Sequence, residues 1–269
     1  MSTIINHNLS AMNAHRNLSF NDTQQSKSAE KLSSGLRINR AADDAAGLSI
    51  SEKMRAQIKS LNQAERNAQD GVSLVQTAEG AMNEVSDMLT RMKELATQAS
   101  NGTYNASDLA AMDNEYQKLA ATITNDIPSN TKFNGINLLN GNSDVAIQTG
   151  DNSSDTVSIK LSSVNLTSIS FGSLTGGGAA SELAAVDTAI GTVNTARSEL
   201  GATQNQLEHR INNIASTSEN LQGAESRIRD TDMASEMMKY SKYNILQQAS
   251  TSMLAQANQN PQGVLQLLR

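Results

Sequence analysis

The sequence predicts a mainly α protein: an elongated antiparallel helical bundle of coiled-coil character, with paired terminal helices and a small β-hairpin region in the middle of the chain. Three observations carry this expectation. Apolar residues recur at alternating spacings of three and four over long stretches, the period of one helix face. Only two prolines, Pro128 and Pro261, occur in 269 residues, so the residue that most reliably interrupts a helix is nearly absent. Residues 140–180 switch to Ser, Thr, Asn and Gly with apolar residues at every second position, the period of a strand.

The elements follow in chain order. Ile5, Leu9 and Met12 begin an amphipathic helix that ends after KLSS, where Gly35 suits the left-handed residue closing a helix. The stretch KLSSGLRINRAADDAAGLSISEKM then acts as a joint to a second helix, with Ser49 and Glu52 in capping-box spacing. In that helix Met54, Ile58, Leu61, Ala68, Val72, Val75, Met82, Val85, Leu89, Met92, Ala96 and Ala99 trace a seam, interrupted at Glu65 and shifted in phase near Ala78. Asn101-Gly102 supplies a turn into a shorter helix carrying Leu109, Met112, Tyr116, Leu119 and Ile123. That helix should stop at Ile127, because Pro128 disfavours helix in the residue before it.

The runs VAIQ and TVSIKLSSV alternate in polarity and predict a hairpin, after turns at Asn134-Gly135 and Asn140-Gly141 and before a flexible return at Gly176, Gly177 and Gly178. This region is expected at the end of the rod far from both termini. The return helix carries Leu183, Val186, Ile190, Val193, Arg197, Leu200, Gln204, Leu207, Ile211, Ile214, Ser218, Leu221, Glu225 and Ile228 on one face. At ~1.5 Å per residue that seam runs roughly 70 Å and needs a partner of similar length. Its polar members either specify register or face water. A last helix carries Met238, Ile245, Ala249, Met253 and Ala257 and is expected to break at Pro261. Both terminal stripes are narrow, so the two helices need each other or other copies of the chain to be stable. The expected divisions are residues 1–44 (N-terminal helix and joint), 45–139 (rod), 140–180 (hairpin region), 181–229 (returning rod helix) and 230–269 (C-terminal helix).

Composition excludes several functions. A net charge of −6, a pI near 5.1 and 3% aromatic residues argue against nucleic acid as a partner. Zero cysteine removes thiol and disulfide chemistry. No long apolar run predicts membrane insertion, and the N-terminus lacks the pattern of a signal peptide. Asp43 and Asp44 are adjacent, hence about 100° apart on a helix, and sit where helix-starting carboxylates are favoured. His7, His15 and His209 show no metal-ligand spacing, and the glycine run lacks the Lys-Ser or Lys-Thr of a phosphate loop. The expectation is a structural protein with no enzymatic activity, cofactor or metal.

The joint LSSGLRINRAADDAAGLSIS, the block ELATQASNGT and the ending ILQQASTSMLAQANQNPQGVLQLLR together resemble bacterial flagellin. The likeness covers residues 1–140 and 181–269 and leaves the middle unmatched. It implies a secreted, extracellular subunit, exported unfolded through the flagellar type III channel and polymerised beneath a cap into the flagellar filament. The implied partners are other copies of itself, a flagellar export chaperone, the filament cap, hook-associated proteins and host innate immune receptors. A hook-filament junction protein is the alternative within the same lineage. The resemblance places filament assembly on Ile5, Leu9, Met12, Ile245, Leu246, Ala249, Met253, Leu265, Leu267 and Leu268, and a spoke on Gly35, Arg37, Asn39, Asp43, Asp44 and Gly47. It also matches a Toll-like receptor contact to Arg91, Leu95 and Glu115. By spacing, Arg91 and Leu95 share a face off the Leu89, Met92, Ala96 seam, which predicts an exposed Leu95; the alternative pairs Arg91 with a carboxylate and packs Leu95 on a neighbouring helix.

Overall fold

A computed structural model describes residues 7–141 and 144–267, with side chains as far as Gln259. Among these residues the order is α1 (Leu9–Ser34), α2 (Ala45–Ala99), α3 (Ala106–Ala121), α4 (Ile127–Asn130), β1 (Lys132–Phe133), β2 (Ile136–Asn137), β3 (Val145–Gln148), β4 (Thr156–Ile159), α5 (Ala179–Arg229) and α6 (Met233–Leu267). The chain divides into a terminal unit, residues 1–56 with 220–269, and a central unit, residues 57–219.

The central unit is built on the expected seams. On α5 Val186, Val193, Leu200, Leu207 and Ile214 are buried, and Ala189 and Ala196 widen the buried face. On α2 the shift near Ala78 appears as Leu74, Val75 and Ala78, all buried, before the seam resumes at Met82, Val85, Leu89 and Met92. Small residues let the two backbones approach, and the large ones interdigitate into one apolar core. Ser218, buried on the α5 seam, donates to Asn62 Oδ1 of α2 at 2.9 Å, so here the polar seam position links the two helices. Gln204 instead bonds Glu208 on its own helix.

Asn105 caps α3 by accepting from the amides of Ser107 and Asp108. The helix does not stop at Ile127. A π-helical turn, Thr122–Asp126, precedes α4, and the Ile127 amide reaches the Thr122 carbonyl. Widening the ladder by one residue ahead of Pro128 opens room for a ring that brings no N–H and would clash in an ordinary turn.

The Asn134-Gly135 turn of the middle region holds, whereas Asn140 forms an isolated bridge to Asn165. Asn134 and Gly135 adopt φ of 47° and 82°, the left-handed pair that a two-residue hairpin demands, and join β1 to β2 with Phe133 opposite Ile136. Strands β3 and β4 pair antiparallel, Val145 opposite Ile159. Their position departs from expectation: this hairpin does not lie by the α2–α3 turn but covers the start of the central unit. Val157 packs with Ala68 of α2 and Leu207 of α5, Gln148 accepts from Asn67 at 3.2 Å, and Asp151 accepts from Gln57 at 3.1 Å. The reason is a run of small residues, Ala64, Ala68 and Gly71, that leaves the α2–α5 seam uncovered there. A methyl on Gly71 would sit 3.2 Å from Ile147 of β3.

Candidate assembly surface

Two joints close the terminal unit. Gly35, at φ 73°, ends α1 with its amide on the Lys31 carbonyl, and the next residues run antiparallel to the α5–α6 connection. Leu36 bridges Asp230, the Arg37 amide donates to the Arg229 carbonyl at 2.7 Å, and the Thr231 amide to the Gly35 carbonyl at 3.0 Å. Arg37 Nη2 adds a bond to the Ile228 carbonyl at 2.5 Å. Arg37, Asn39, Asp43 and Asp44 of the predicted spoke each have a side-chain hydrogen bond within the chain. Asp43 Oδ2 accepts from the amides of Asn39 and Arg40 at 3.2 and 3.0 Å, and the Arg40 amide bond, helped by the Asn39 amide, Lys31 and Lys27, holds its carboxyl below the usual range. Asp44 caps α2 through the Gly47 amide at 2.9 Å. The cap therefore lies at Asp44, five residues ahead of the expected Ser49, because the adjacent carboxylate already closes the turn before it. Gly47 permits this packing: a methyl there would fall 2.4 Å from Asp44 Oδ2 and 2.8 Å from the buried Ile38.

From these joints α1 and α6 run side by side; Ala257 is buried and Leu18 and Leu254 are half-buried, and side-chain hydrogen bonds link the two helices. Asn21 donates to Ser250 Oγ at 3.1 Å, Gln247 to Asp22 at 3.2 Å, and Ser28 hydrogen-bonds Glu236. The only buried side chains of α1 are Asn21 and Ser28. Glu236 is buried too; burial pushes its pKa up, but Lys239 at 2.9 Å, Ser28 and Lys31 outweigh it and hold the carboxyl below the usual range. Asp232 starts α6 by accepting from the amides of Ala234 and Ser235.

The helix α6 continues through Pro261 instead of breaking there. Proline cannot donate to the carbonyl four residues earlier, which is Ala257. Asn8 Nδ2 donates to that carbonyl at 2.8 Å, while Asn8 Oδ1 caps α1 through the Ala11 amide at 3.1 Å. One side chain thus starts α1 and replaces the donor that α6 lacks.

Ala257 of the α6 stripe is buried, but the large apolar residues of both stripes are exposed. Leu9 and Met12 of α1 are 63% and 56% exposed, and Ile245 and Met253 of α6 are each 66% exposed. Leu246 and Ala249 are exposed as well. Phe20, which sequence reading missed, is 57% exposed; it follows Leu9 by eleven residues, within about 20° on a helix, and that spacing was the available signal. Leu265 and Leu267 lie on α6 beyond the described side chains, and Ile5 and Leu268 lie outside the described residues. Between α1 and α6 runs a groove of about 700 Å³ lined by Ala11, Met12, His15, Arg16, Ser19, Leu254 and Asn258. Among the described residues no carboxylate, His or Cys cluster could hold a metal, and no helix is long and apolar enough to cross a membrane.

In the central unit Arg91 and Glu115 do come together. Arg91 Nε donates to Glu115 at 2.9 Å and Nη1 to Glu94 at 3.0 Å, and the two carboxylates, Glu115 first, raise its pKa further. Leu95 is 2% exposed, which corrects the exposure expected of it. It lies off the α2–α5 seam, but α3 adds Tyr116 and Ala120 to the same core and covers that second face.

Comparison with known proteins adds to this geometry. Residues 5–144 match the family model of the bacterial flagellin N-terminal helical region, and residues 183–268 match that of the bacterial flagellin C-terminal helical region. A flagellin of Halalkalibacterium halodurans is 56% identical over 272 residues, spanning 99% of this chain and 100% of the relative. A flagellin of Bacillus subtilis is 45% identical, covering 98% and 99%. The crystal structure of Bacillus cereus flagellin aligns with a TM-score of 0.52 at 36% identity, over 60% of this chain and 94% of that one.

Proposed function

We propose that this chain, which belongs to the bacterial flagellin family and is a structural subunit of the extracellular flagellar filament, polymerises through the outward apolar stripes of its terminal helices. The observation that supports this reading is the polar pairing of α1 with α6, which leaves Leu9, Met12, Phe20, Ile245 and Met253 exposed. A single molecule cannot bury them, whereas a lattice of copies can, and a heterologous contact that does not close yields a filament. The groove beside Met12 and Leu254 receives an apolar side chain of a neighbouring copy.

The same exposure requires cover before assembly, which supports an export chaperone as the partner of these helices during type III export. Addition under a filament cap and contact with hook-associated proteins at the filament base complete the set. Host innate immune receptors meet the central unit of the free subunit at Arg91 and Glu115, with Leu95 packed beneath and shaping that surface. In that reading Arg91→Ala lowers receptor activation by monomer at least tenfold, about 1.4 kcal/mol, and an unchanged dose response overturns it.

The assembly reading is tested by electron microscopy of purified protein under salting-out conditions, which strengthen apolar burial. Native chain elongates into long filaments and Ile245→Asp stays monomeric with the central unit folded. Normal elongation of Ile245→Asp refutes the reading.

A further inference from the structure

The chain's sulfur is partitioned between its two units. It has eleven methionines and no cysteine, so methionine is the only side chain in it that takes up oxygen at sulfur under mild conditions. In the central unit Met82 and Met92 are fully buried, and Met88 and Met112 are partly buried against the same core. On the terminal helices the pattern reverses: Met12, Met233, Met237, Met238 and Met253 are all about half exposed or more. Met238 shares the stripe of Ile245 and Ala249, being seven and eleven residues from them and so within ~20° on the helix. Met253 follows Ala249 by one turn, and Met12 borders the α1–α6 groove.

We propose that Met12, Met237, Met238 and Met253 form an oxidation-sensitive site on the assembly surface, at which peroxide converts a free subunit into one that cannot elongate a filament. The inference rests on the assembly reading above. The chemistry is a two-electron oxygen transfer. The thioether lone pair attacks one peroxide oxygen, the S–O bond forms as the O–O bond breaks, and the other oxygen takes up a proton and leaves as water. Sulfur is oxidised to the sulfoxide and peroxide is reduced. The product is a polar, chiral group where copies of the chain must exclude water from an apolar contact, and a buried polar group without a partner opposes association. Burial in the central unit protects Met82 and Met92, so the fold survives a dose that disables the surface. Once subunits are in a filament, the same contact shields the four sulfurs, so monomer is the vulnerable form.

The test treats full-length monomer with a limited dose of hydrogen peroxide, removes the oxidant, and follows elongation from filament fragments by light scattering and electron microscopy. Peptide mass mapping locates each added oxygen. Elongation falls at least tenfold, the added oxygen is found on Met12, Met237, Met238 and Met253 but not on Met82 or Met92, and a methionine sulfoxide reductase restores growth without any substitution. The variant carrying Met12→Leu, Met237→Leu, Met238→Leu and Met253→Leu keeps the stripe apolar and elongates after the same treatment. Undiminished elongation of treated native chain, or an equal loss in the leucine variant, overturns the proposal. Ile245→Asp, which involves no sulfur, separates the two claims: normal growth of that variant refutes the assembly reading, whereas its failure to grow together with peroxide-resistant native chain refutes only the oxidation site.

Discussion

The two units bury opposite kinds of side chain. In the central unit the helices meet through Leu74, Met82, Leu89, Met92, Val193 and Leu200, each almost wholly buried. In the terminal unit α1 is tied to α6 largely through Asn21, Ser28, Asp22, Gln247 and Glu236, and Leu9, Met12, Phe20, Ile245 and Met253 look outward. Both regions consist of long helices packed side by side, so helical propensity does not separate them; the direction of the apolar face does. Helices whose stripes face each other make a unit that folds alone. Helices that pair through polar groups and leave their stripes free are arranged for partners outside the molecule, and their stability depends on concentration.

The strongest way to break this contrast is to remove one side of it. Deleting residues 233–269 abolishes elongation altogether, yet the central unit still unfolds cooperatively within a few degrees of the native midpoint in calorimetry. A loss of central-unit cooperativity would show that the two regions are one folding unit. Next in size is a pair of single substitutions. Leu89→Ala lowers the unfolding stability of the central unit by about 2–5 kcal/mol, the usual range for a buried leucine. Ile245→Ala leaves monomer stability within about 0.5 kcal/mol, as expected of an exposed position, while raising the critical concentration for growth at least tenfold. Urea unfolding and sedimentation read the two effects separately, and equal costs in monomer would erase the distinction.

Smaller effects test how the polar pairing works. Asn8→Ala removes both the α1 cap and the donor to the Ala257 carbonyl and weakens α1–α6 pairing by about 1–2 kcal/mol. Asn8→Ser, which restores the cap but does not reach across, recovers only part of that. Amide exchange along α6 in the filament distinguishes them. The smallest effect is a pH dependence. The Glu236 pKa is lowered in the folded chain, so its contribution is present above the unfolded carboxylate value near 4.3 and is lost as pH falls through the folded value. Acid therefore loosens the α1–α6 pair before it touches the apolar core, and Glu236→Gln flattens this part of the profile. A native profile that stays flat as pH falls below 4 would exclude this role.

Much of this fold was legible in the sequence because a seam of threes and fours between two long helices leaves little freedom. Gly35, the Asn134-Gly135 turn and the β3–β4 alternation were equally local signals. What escaped depended on distant contacts. Nothing near Pro261 reveals that Asn8, at the other end of the chain, supplies the missing donor, and nothing near Pro128 reveals the π turn that accommodates it. Spacing off the α2–α5 seam suggests an exposed Leu95, but the alternative holds: Arg91 pairs with Glu115 and Glu94, and Leu95 is buried because α3 covers a second face of α2. Reading the stripes of α1 and α6 showed that they needed cover; which way they faced is set by a handful of asparagine, serine and glutamate side chains whose spacing carries no periodic signal.

Amide hydrogen exchange of monomer against filament tests the central claim most directly, since it reads every helix under both conditions. In free monomer, residues 9–30 of α1 and 240–267 of α6 exchange near the rate of unfolded chain, while residues 74–96 of α2 and 186–214 of α5 are strongly protected; in the filament all four segments are slow. Strong protection of α1 and α6 in dilute monomer, unchanged on assembly, would mean that the polar pairing suffices and would contradict the account.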